Sequence, residues 1–185
     1  QELLSDFPAT SLFEIIPNFH NTIDRYRLFK KSVSIDSVGR AASVQEDIAF
    51  ILEREELGST LQKMLDAGVL PLRVTHNDTK LNNVMLDAKT REPLCVMDLD
   101  TVMPGLAAYD FGDAIRSYTN TGAEDDKCLD NVEMSIEMFR AYAEGYLSEQ
   151  RATMSASELE WLAFSGRYIT FEQVLRFLMD YIDGD

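Results

Sequence analysis

The residues with the clearest chemical potential in this sequence are an aspartate and an asparagine in the segment HNDTKLNN, residues 76–83, which we call the HNDTKLNN loop. The carboxylate of Asp78 can orient a hydroxyl group or take its proton, and the side-chain oxygen of Asn83 can bind a magnesium ion. Because the two residues lie about one turn apart, one loop can contact both an attacking oxygen and the metal that neutralises a phosphate. The pattern therefore indicates phosphoryl transfer.

His76 gives the loop the H-x-D-x-x-x-x-N spacing of a kinase catalytic loop. In that interpretation Asp78 is the catalytic base and Asn83 is a metal ligand. His76 is part of the catalytic loop, where it has a structural role and does not transfer a proton. The alternative is that Asp78 and Asn83 are ordinary turn and cap residues, since both residue types favour local hydrogen bonds of that kind. The joint pattern favours the catalytic interpretation.

Two aspartates compete for the role of second metal ligand. Asp110 opens a D-F-G segment, which is the magnesium-binding signature of protein kinases. Asp98 lies closer to the HNDTKLNN loop along the chain. Since a loop containing Pro104 and Gly105 precedes Asp110, nothing in the pattern returns Asp110 to the end of the strand near Asn83.

A predicted β-hairpin favours Asp98. Two short apolar runs, residues 83–86 and 94–97, flank the polar, turn-rich segment DAKTREP, which is typical of a hairpin. Asn83 enters the first strand and Asp98 leaves the second, so antiparallel pairing brings both to the same open end, with the strands about 5 Å apart. The pair predicts two oxygen ligands for Mg²⁺, which also takes waters and nucleotide phosphates. In the alternative interpretation, Asp98 and Asp100 only alternate outward from a half-buried strand.

A supporting group is expected around Asp110. Its side chain is predicted to cap a helix by accepting a backbone N–H near Asp113. Arg116, three residues further on, is expected to pair with Asp113 or with Asp110. These three residues therefore form a predicted structural support for the site.

Helical periodicity covers most of the remaining chain. S-x-x-E capping boxes precede three of the predicted helical stretches. The first stretch is residues 12–30, with Ser11 and Glu14 as its capping box, and the second is a helical pair within residues 46–67, with Ser43 and Glu46 as the box. A third helix is expected around residues 132–146. A fourth, with Ser157 and Glu160 as its box, is expected to reach about Tyr181. Residues 101–109 are expected to form a loop. The fold class predicted from these elements is α+β, mainly α-helical, with a small β-hairpin at the HNDTKLNN loop.

The last helix carries a candidate substrate-binding face. Glu172, Arg176 and Asp180 recur every four residues and so share one side of a helix. The alternative is a solvent-exposed face of salt bridges, which contribute only about 0.2–0.5 kcal/mol each. An arginine flanked by carboxylates would also suit the hydroxyl groups and amide carbonyl of a sugar.

The motifs HNDTKLNN, VMDLD and YDFGDAIR together resemble the aminoglycoside phosphotransferase and choline kinase superfamily, whose members share a protein-kinase-like C-terminal lobe. The residues of these motifs and the ending FEQVLRFLMDYIDGD are most similar to the N-acetylhexosamine 1-kinases. The resemblance implies a small-molecule kinase that uses ATP and Mg²⁺ to phosphorylate a sugar. Other acceptors considered are choline, homoserine, methylthioribose and aminoglycosides.

The resemblance also implies site roles. Asp78 is the catalytic base, with Asn83 and Asp98 as the magnesium ligands. Asp110 is a support that hydrogen-bonds the loop and opens a helix. Lys80 stands where many protein kinases place a lysine that meets the transferring phosphate, although it is also interpretable as a solvated surface charge. Further implied roles are His76 as a brace of the loop and C-terminal helices that wall the acceptor pocket. Asp100 is also predicted to contact the substrate.

Composition excludes several classes of partner. The 185 residues carry a formal net charge of -15, which argues against nucleic acid and against anionic membranes. Apolar runs are too short to cross a bilayer, and the start lacks the pattern of a signal peptide. The two cysteines, Cys95 and Cys128, have no metal-binding or redox spacing, which favours a cytoplasmic location.

The nucleotide-binding signals of a kinase are missing from this sequence. None of the nine glycines forms a G-x-G-x-x-G or a P-loop pattern, and there is no V-A-I-K lysine. Residues 1–185 are therefore predicted to be the C-terminal, catalytic and acceptor-binding lobe of a longer kinase, with the N-terminal nucleotide lobe as its partner in the same polypeptide. The alternative from another class is a non-catalytic binding module built on a kinase lobe.

Overall fold

A computed structural model of the chain describes residues 7–123 and 126–185. The chain divides into two compact units. The first unit comprises the described parts of residues 1–17 and 71–167, and the second comprises residues 18–70 and 168–185. One long helix, Ala156–Asp183, contributes to both units.

The second unit is entirely helical among its described elements. It contains α1 (Thr22–Ile35), α2 (Gln45–Leu52), α3 (Glu55–Asp66) and residues 168–183 of α6 (Ala156–Asp183). The apolar faces of these helices meet in one core, which confirms the helical pair expected within residues 46–67. The buried core residues are Tyr26, Phe29, Ala41, Ile48, Ile51, Phe171, Leu175 and Ile182.

The predicted start of the first long helix is wrong. Residues 12–21 are not helical, and α1 begins at Thr22, where the side chain of Asn21 accepts the backbone N–H of Asp24 at 3.1 Å. The local reason is Pro17, which lacks the N–H that a helix interior needs, followed by Asn18 at a φ of 60°. The box expected at Ser43 is also wrong, since Ser43 lies in a 3-10 turn and the residue before α2 makes no side-chain cap.

The first unit contains all four strands that the structure describes. They are β1 (Arg73–Thr75), β2 (Val84–Leu86), β3 (Pro93–Val96) and β4 (Met103–Gly105). β2 and β3 pair antiparallel, with Val84 opposite Val96, which confirms the predicted hairpin. β1 and β4 form a second antiparallel pair, with Thr75 opposite Met103, so the expectation of a loop across residues 101–109 is wrong.

The helices of the first unit cover its core. They are α4 (Ala107–Tyr118), α5 (Ile136–Gln150) and residues 156–167 of α6. Buried Phe111, Ile115 and Leu162 pack against half-buried aromatic side chains of α5, including Tyr142 and Tyr146. This core holds α4, which carries Asp110, behind the HNDTKLNN loop. The predicted α+β, mainly helical fold with a hairpin at that loop is confirmed.

The N-terminus of α6 is capped by a different pair from the one expected. Ser155 Oγ accepts the N–H of Glu158 at 3.2 Å, and a carboxylate oxygen of Glu158 accepts the N–H of Ser155 at 2.8 Å. The capping box is therefore Ser155 with Glu158, and the Ser157–Glu160 assignment is wrong. Within the two described ranges, no helix combines the length and apolar content needed to cross a bilayer.

Candidate active site

Strand β1 leads directly into the HNDTKLNN loop, and a buried carboxylate holds the junction. Asp110 is 3% exposed, and its two oxygens accept the backbone N–H groups of His76 at 3.0 Å and Asn77 at 2.7 Å. A carboxylate that accepts two backbone N–H groups fixes the direction in which the loop leaves the strand. Leu106 takes the N-cap position of α4, so the N-cap role predicted for Asp110 is wrong.

His76 connects the loop to the end of β3. Its Nε2 lies 3.0 Å from the carbonyl oxygen of Met97, and its Nδ1 lies 3.3 Å from the backbone nitrogen of Asp78. A carbonyl oxygen only accepts and a backbone N–H only donates, so the ring carries its proton on Nε2 and accepts at Nδ1. In this tautomer the imidazole links Met97, which precedes Asp98, to the backbone of Asp78.

Asp78 is held through one carboxylate oxygen. Its Oδ2 accepts Lys80 Nζ at 2.9 Å and Asn83 Nδ2 at 2.9 Å. The hydrogen bond to Asp78 raises the pKa of Lys80, burial works in the opposite direction, and the nearby charges of Asp78, Asp98 and Asp113 add to the rise. In the part of the chain that the structure describes, the other oxygen of Asp78, Oδ1, accepts no hydrogen bond.

Asn83 links the two predicted functions of the loop. Its amide nitrogen donates to the backbone oxygen of Asp78 at 2.8 Å as well as to Oδ2 of Asp78 at 2.9 Å. Both neighbours are acceptors, so the amide group is oriented with its nitrogen toward Asp78 and its oxygen turned away. Among the described residues nothing donates to that oxygen, which leaves it available as a metal ligand.

Asp98 lies at the open end of the hairpin, two residues beyond β3. The N–H of Met97 donates to the carbonyl oxygen of Asn83 at 2.8 Å, so the ladder reaches the residue before Asp98. Asp98 has a φ of 57° and an exposed side chain, a backbone conformation that aspartate tolerates better than most residues. Its carboxylate forms no hydrogen bond or ion pair with any described residue.

These oxygens fit a hard divalent cation. Amide and carboxylate oxygens are the ligands that Mg²⁺ takes in small numbers beside water and phosphate. Asn83 and Asp98 present one of each, whereas both oxygens of Asp110 are occupied by the loop backbone. No group of three or more His, Cys, Asp or Glu side chains suited to a metal occurs in residues 7–123 and 126–185. A metal here would therefore depend on ligands that a nucleotide and water supply.

The remaining predicted support and substrate residues of this unit lie on α4 and beyond β3. Arg116 pairs with Asp113, its Nη2 lying 2.9 Å from Oδ1, which confirms that predicted pairing. Asp113 is 3% exposed, so this pair fixes the buried side of α4. Asp100 is exposed in the 3-10 turn Leu99–Thr101, and its substrate contact stays a prediction.

Sequence reasoning missed the role of Asn77. This residue is 2% exposed at a φ of 66°, and its amide nitrogen donates to the carbonyl oxygens of Thr75 at 3.2 Å and Thr101 at 3.0 Å. Thr75 Oγ1 donates to the amide oxygen at 2.9 Å. The available signal was a polar residue with tolerance for positive φ between two site residues, but two of its partners, Thr101 and Met103, lie more than twenty residues away in sequence.

The predicted substrate face of the last helix belongs to the second unit. Glu172 is 3% exposed, and its carboxylate meets His20 Nδ1 at 3.0 Å and Arg25 Nη2 at 3.5 Å. The guanidinium of Arg176 lies over the ring of Phe177, 4.9 Å from its centroid, and Asp180 is half-buried. No ion pair joins Arg176 to Glu172 or to Asp180 in the described part of this helix.

The sequence profile of one protein family matches residues 2–162 of the 185, and its description is "Phosphotransferase enzyme family". The matched range covers the HNDTKLNN loop, the hairpin and α4, so it includes every site residue described above in the first unit. The match supports the resemblance to the aminoglycoside phosphotransferase and choline kinase superfamily. The chain belongs to the phosphotransferase enzyme family.

Proposed function

We propose that the protein is an ATP-dependent kinase that phosphorylates the anomeric hydroxyl group of an N-acetylhexosamine, giving the sugar 1-phosphate and ADP. Membership of the phosphotransferase enzyme family supports transfer to a small molecule. One observation carries the catalytic assignment. A single amide, that of Asn83, holds the predicted base Asp78 with its nitrogen, which leaves its oxygen as a predicted metal ligand.

Asp78 Oδ1 is the atom proposed to act on the acceptor. Lys80 and Asn83 occupy Oδ2, so Oδ1 accepts the proton of the attacking hydroxyl as its oxygen bonds to the γ-phosphorus. The bond from phosphorus to the bridging oxygen then breaks, and ADP leaves with that electron pair. A divalent cation, when bound, neutralises the charge on the phosphate oxygens. Asn83 and Asp98 would hold it.

Lys80 is proposed to meet the transferring phosphate. The ammonium group carries three donors, and Asp78 uses one of them. Its side chain is 33% exposed, so the remaining donors can point toward a ligand. The hydrogen bond to Asp78 raises the pKa of Lys80, which favours the charged ammonium form.

The acceptor and the domain boundaries stay proposals. N-acetylhexosamine is favoured by the sequence of the motifs, and substrate contacts by Glu172, Arg176 and Asp180 stay predictions. Residues 1–185 are proposed to act together with a nucleotide-binding lobe elsewhere in the polypeptide, because the glycine-rich and lysine signals of that lobe are absent from these residues.

The decisive experiment is Asp78→Asn in the full-length protein, assayed with ATP, Mg²⁺ and a panel of hydroxyl acceptors. We expect N-acetylhexosamines to be the preferred substrates and the substitution to lower kcat by about 10²–10⁴-fold, since a positioned base contributes that much. Asparagine keeps the shape of the side chain, so the variant should remain folded at the assay temperature.

Asp87→Asn is the matched control. Asp87 lies in the turn of the hairpin, where it accepts backbone N–H groups of Lys89 and Thr90 at 2.8 Å, and the same substitution there should leave kcat unchanged. Full turnover by Asp78→Asn would exclude Asp78 as the base. ATP binding without transfer to any acceptor would favour the non-catalytic binding module instead.

A further inference from the structure

The side chain of Asn77 joins three segments of the first unit. Its amide nitrogen lies 3.2 Å from the carbonyl oxygen of Thr75, 3.0 Å from that of Thr101 and 3.4 Å from that of Met103. The amide oxygen accepts Thr75 Oγ1 at 2.9 Å. At 2% exposure these bonds are made out of contact with water, where an unpaired carbonyl group is costly.

Two of the accepting carbonyls lie just beyond Asp98 in the chain. Thr101 closes the 3-10 turn that follows Asp98, and Met103 begins β4. On the other side of Asp98, the carbonyl oxygen of Met97 accepts His76 Nε2 at 3.0 Å. The two residues that precede Asp78 therefore tie down the chain on both sides of the proposed metal ligand.

The surroundings of Asn77 are shaped to admit this side chain. A Cβ atom at Gly105, on β4, would overlap both Thr75 Oγ1 and the amide oxygen of Asn77. The backbone of Asn77, at a φ of 66°, takes a left-handed conformation that asparagine and glycine tolerate best. A glycine at position 77 would thus keep the backbone and remove only the amide.

We infer that Asn77 is a positioning residue that fixes the separation between the base Asp78 and the metal ligand Asp98. This inference rests on the proposed function of those two aspartates. Without the amide, residues 101–103 lose their hydrogen bonds to the HNDTKLNN loop. Asp110 still holds the loop backbone through the N–H groups of His76 and Asn77. Asp78 then keeps its position, but the proposed metal ligand Asp98 is less well placed.

The test compares Asn77→Gly with Asn77→Asp in the full-length protein. Asn77→Asp preserves size, the tolerance for positive φ and the bond from Thr75 Oγ1, but it turns an oxygen toward the carbonyls of Thr101 and Met103. Asn18→Gly is the matched control, because Asn18 also has a positive φ, of 60°, and its side chain is exposed. Three quantities are measured for each protein.

The first measurement needs no metal or nucleotide: amide hydrogen exchange of peptides spanning residues 97–105 should become faster in both Asn77 variants and not in Asn18→Gly. The second is Mn²⁺ binding in the presence of ADP, followed by electron paramagnetic resonance. We expect the dissociation constant to rise by roughly 10–100-fold, the usual cost of losing a group that orients a metal ligand. The third is the Mg²⁺ concentration that gives half-maximal kcat, which should rise in parallel.

The readouts separate positioning from simple loss of folded protein. Partial unfolding lowers the apparent kcat but leaves the half-saturating Mg²⁺ concentration unchanged. Unchanged exchange at residues 97–105 or unchanged Mn²⁺ affinity in both Asn77 variants would overturn the inference. Failure of the proposed function gives a different result: the Asp78→Asn variant then retains activity, whatever is measured for the two Asn77 variants.

Discussion

At the scale of single residues, the proposed site divides one side chain between two tasks. The nitrogen of the Asn83 amide contacts both the backbone and the carboxylate of Asp78, and its oxygen remains for a cation. An aspartate at position 83 could not make this division, because a carboxylate oxygen in place of the amide nitrogen would face two oxygens of Asp78. The same logic explains why Asp110, with both oxygens engaged by backbone N–H groups, serves the loop rather than the metal.

The Lys80–Asp78 pair gives a prediction that needs no substrate. The hydrogen bond to Asp78 raises the pKa of Lys80, so Asp78→Asn should lower that pKa toward the ordinary lysine value of about 10.4. Nuclear magnetic resonance of the lysine side chains, titrated with pH, measures it directly. Lys80→Arg assigns the signal by removing it, and the other lysines serve as internal controls.

The sign of the pH dependence follows from the direction of the shift. Because the pKa of Lys80 is raised in the folded protein, the pair stabilises the fold below the pKa of the unfolded lysine, about 10.4. The contribution disappears as the pH rises through the raised folded value. An identical titration of Lys80 in the wild type and in Asp78→Asn would show that the pair does not form in solution.

At the scale of secondary-structure elements, prediction from sequence becomes less accurate as the paired segments lie further apart along the chain. The β2–β3 hairpin was predictable because a short turn-rich segment joins two apolar runs. The β1–β4 pair was not, because its strands are three residues long, one contains a proline, and the paired residues lie 28 to 32 positions apart in sequence. The N-terminus of α6 was ambiguous locally, since overlapping S-x-x-E patterns start at Ser155 and at Ser157.

The structure resolves that ambiguity, and the choice is testable. Ser155 and Glu158 exchange hydrogen bonds, and Arg73 of β1 donates from Nε and Nη2 to the same carboxylate at 2.7 Å each. Ser155→Ala should lower the free energy of unfolding by about 0.5–2 kcal/mol, the usual cost of losing an N-cap. Ser157→Ala, as the control, should change it by no more than about 0.5 kcal/mol. Chemical denaturation at pH 7 measures both.

The choice of pH 7 follows from the protonation of Glu158. Burial alone would raise the pKa of Glu158, but hydrogen bonds from Arg73 and Ser155 outweigh burial and lower it. Its contribution to stability is therefore complete above the ordinary glutamate pKa of about 4.3 and is lost as the pH falls through the lowered value. A larger effect of Ser157→Ala than of Ser155→Ala at pH 7 would contradict the observed capping box.

At the scale of the whole molecule, charge is the dominant property. A formal net charge of -15 on 185 residues places many like charges within reach of one another, and such self-repulsion destabilises a compact state. Raising NaCl from about 10 to 150 mM shortens the Debye length from about 30 to 8 Å. The thermal midpoint should therefore rise with salt.

Differential scanning calorimetry in NaCl checks this expectation. Each kcal/mol of relieved repulsion corresponds to about 2–4 °C for a chain of this size. Ammonium chloride over the same range is the companion titration, because it screens charge without adding a metal cation or a candidate acceptor. A midpoint that falls with salt would mean that attractive pairs, such as Arg73 with Glu158, outweigh the repulsion.

The sequence by itself indicated the chemistry proposed for this protein: the proposed base Asp78 and the proposed metal ligands Asn83 and Asp98 stand in local patterns, as does the hairpin, and the acidic charge follows from composition. Only the tertiary structure decided how those groups are held. Asp110 reaches the backbone of His76 and Asn77 across more than thirty residues, and Asn77 reaches Thr101 across more than twenty. The physical reason is that short-range hydrogen bonds follow from residue type and spacing, whereas a buried polar contact between distant segments exists only once β1, β4 and α4 have packed together.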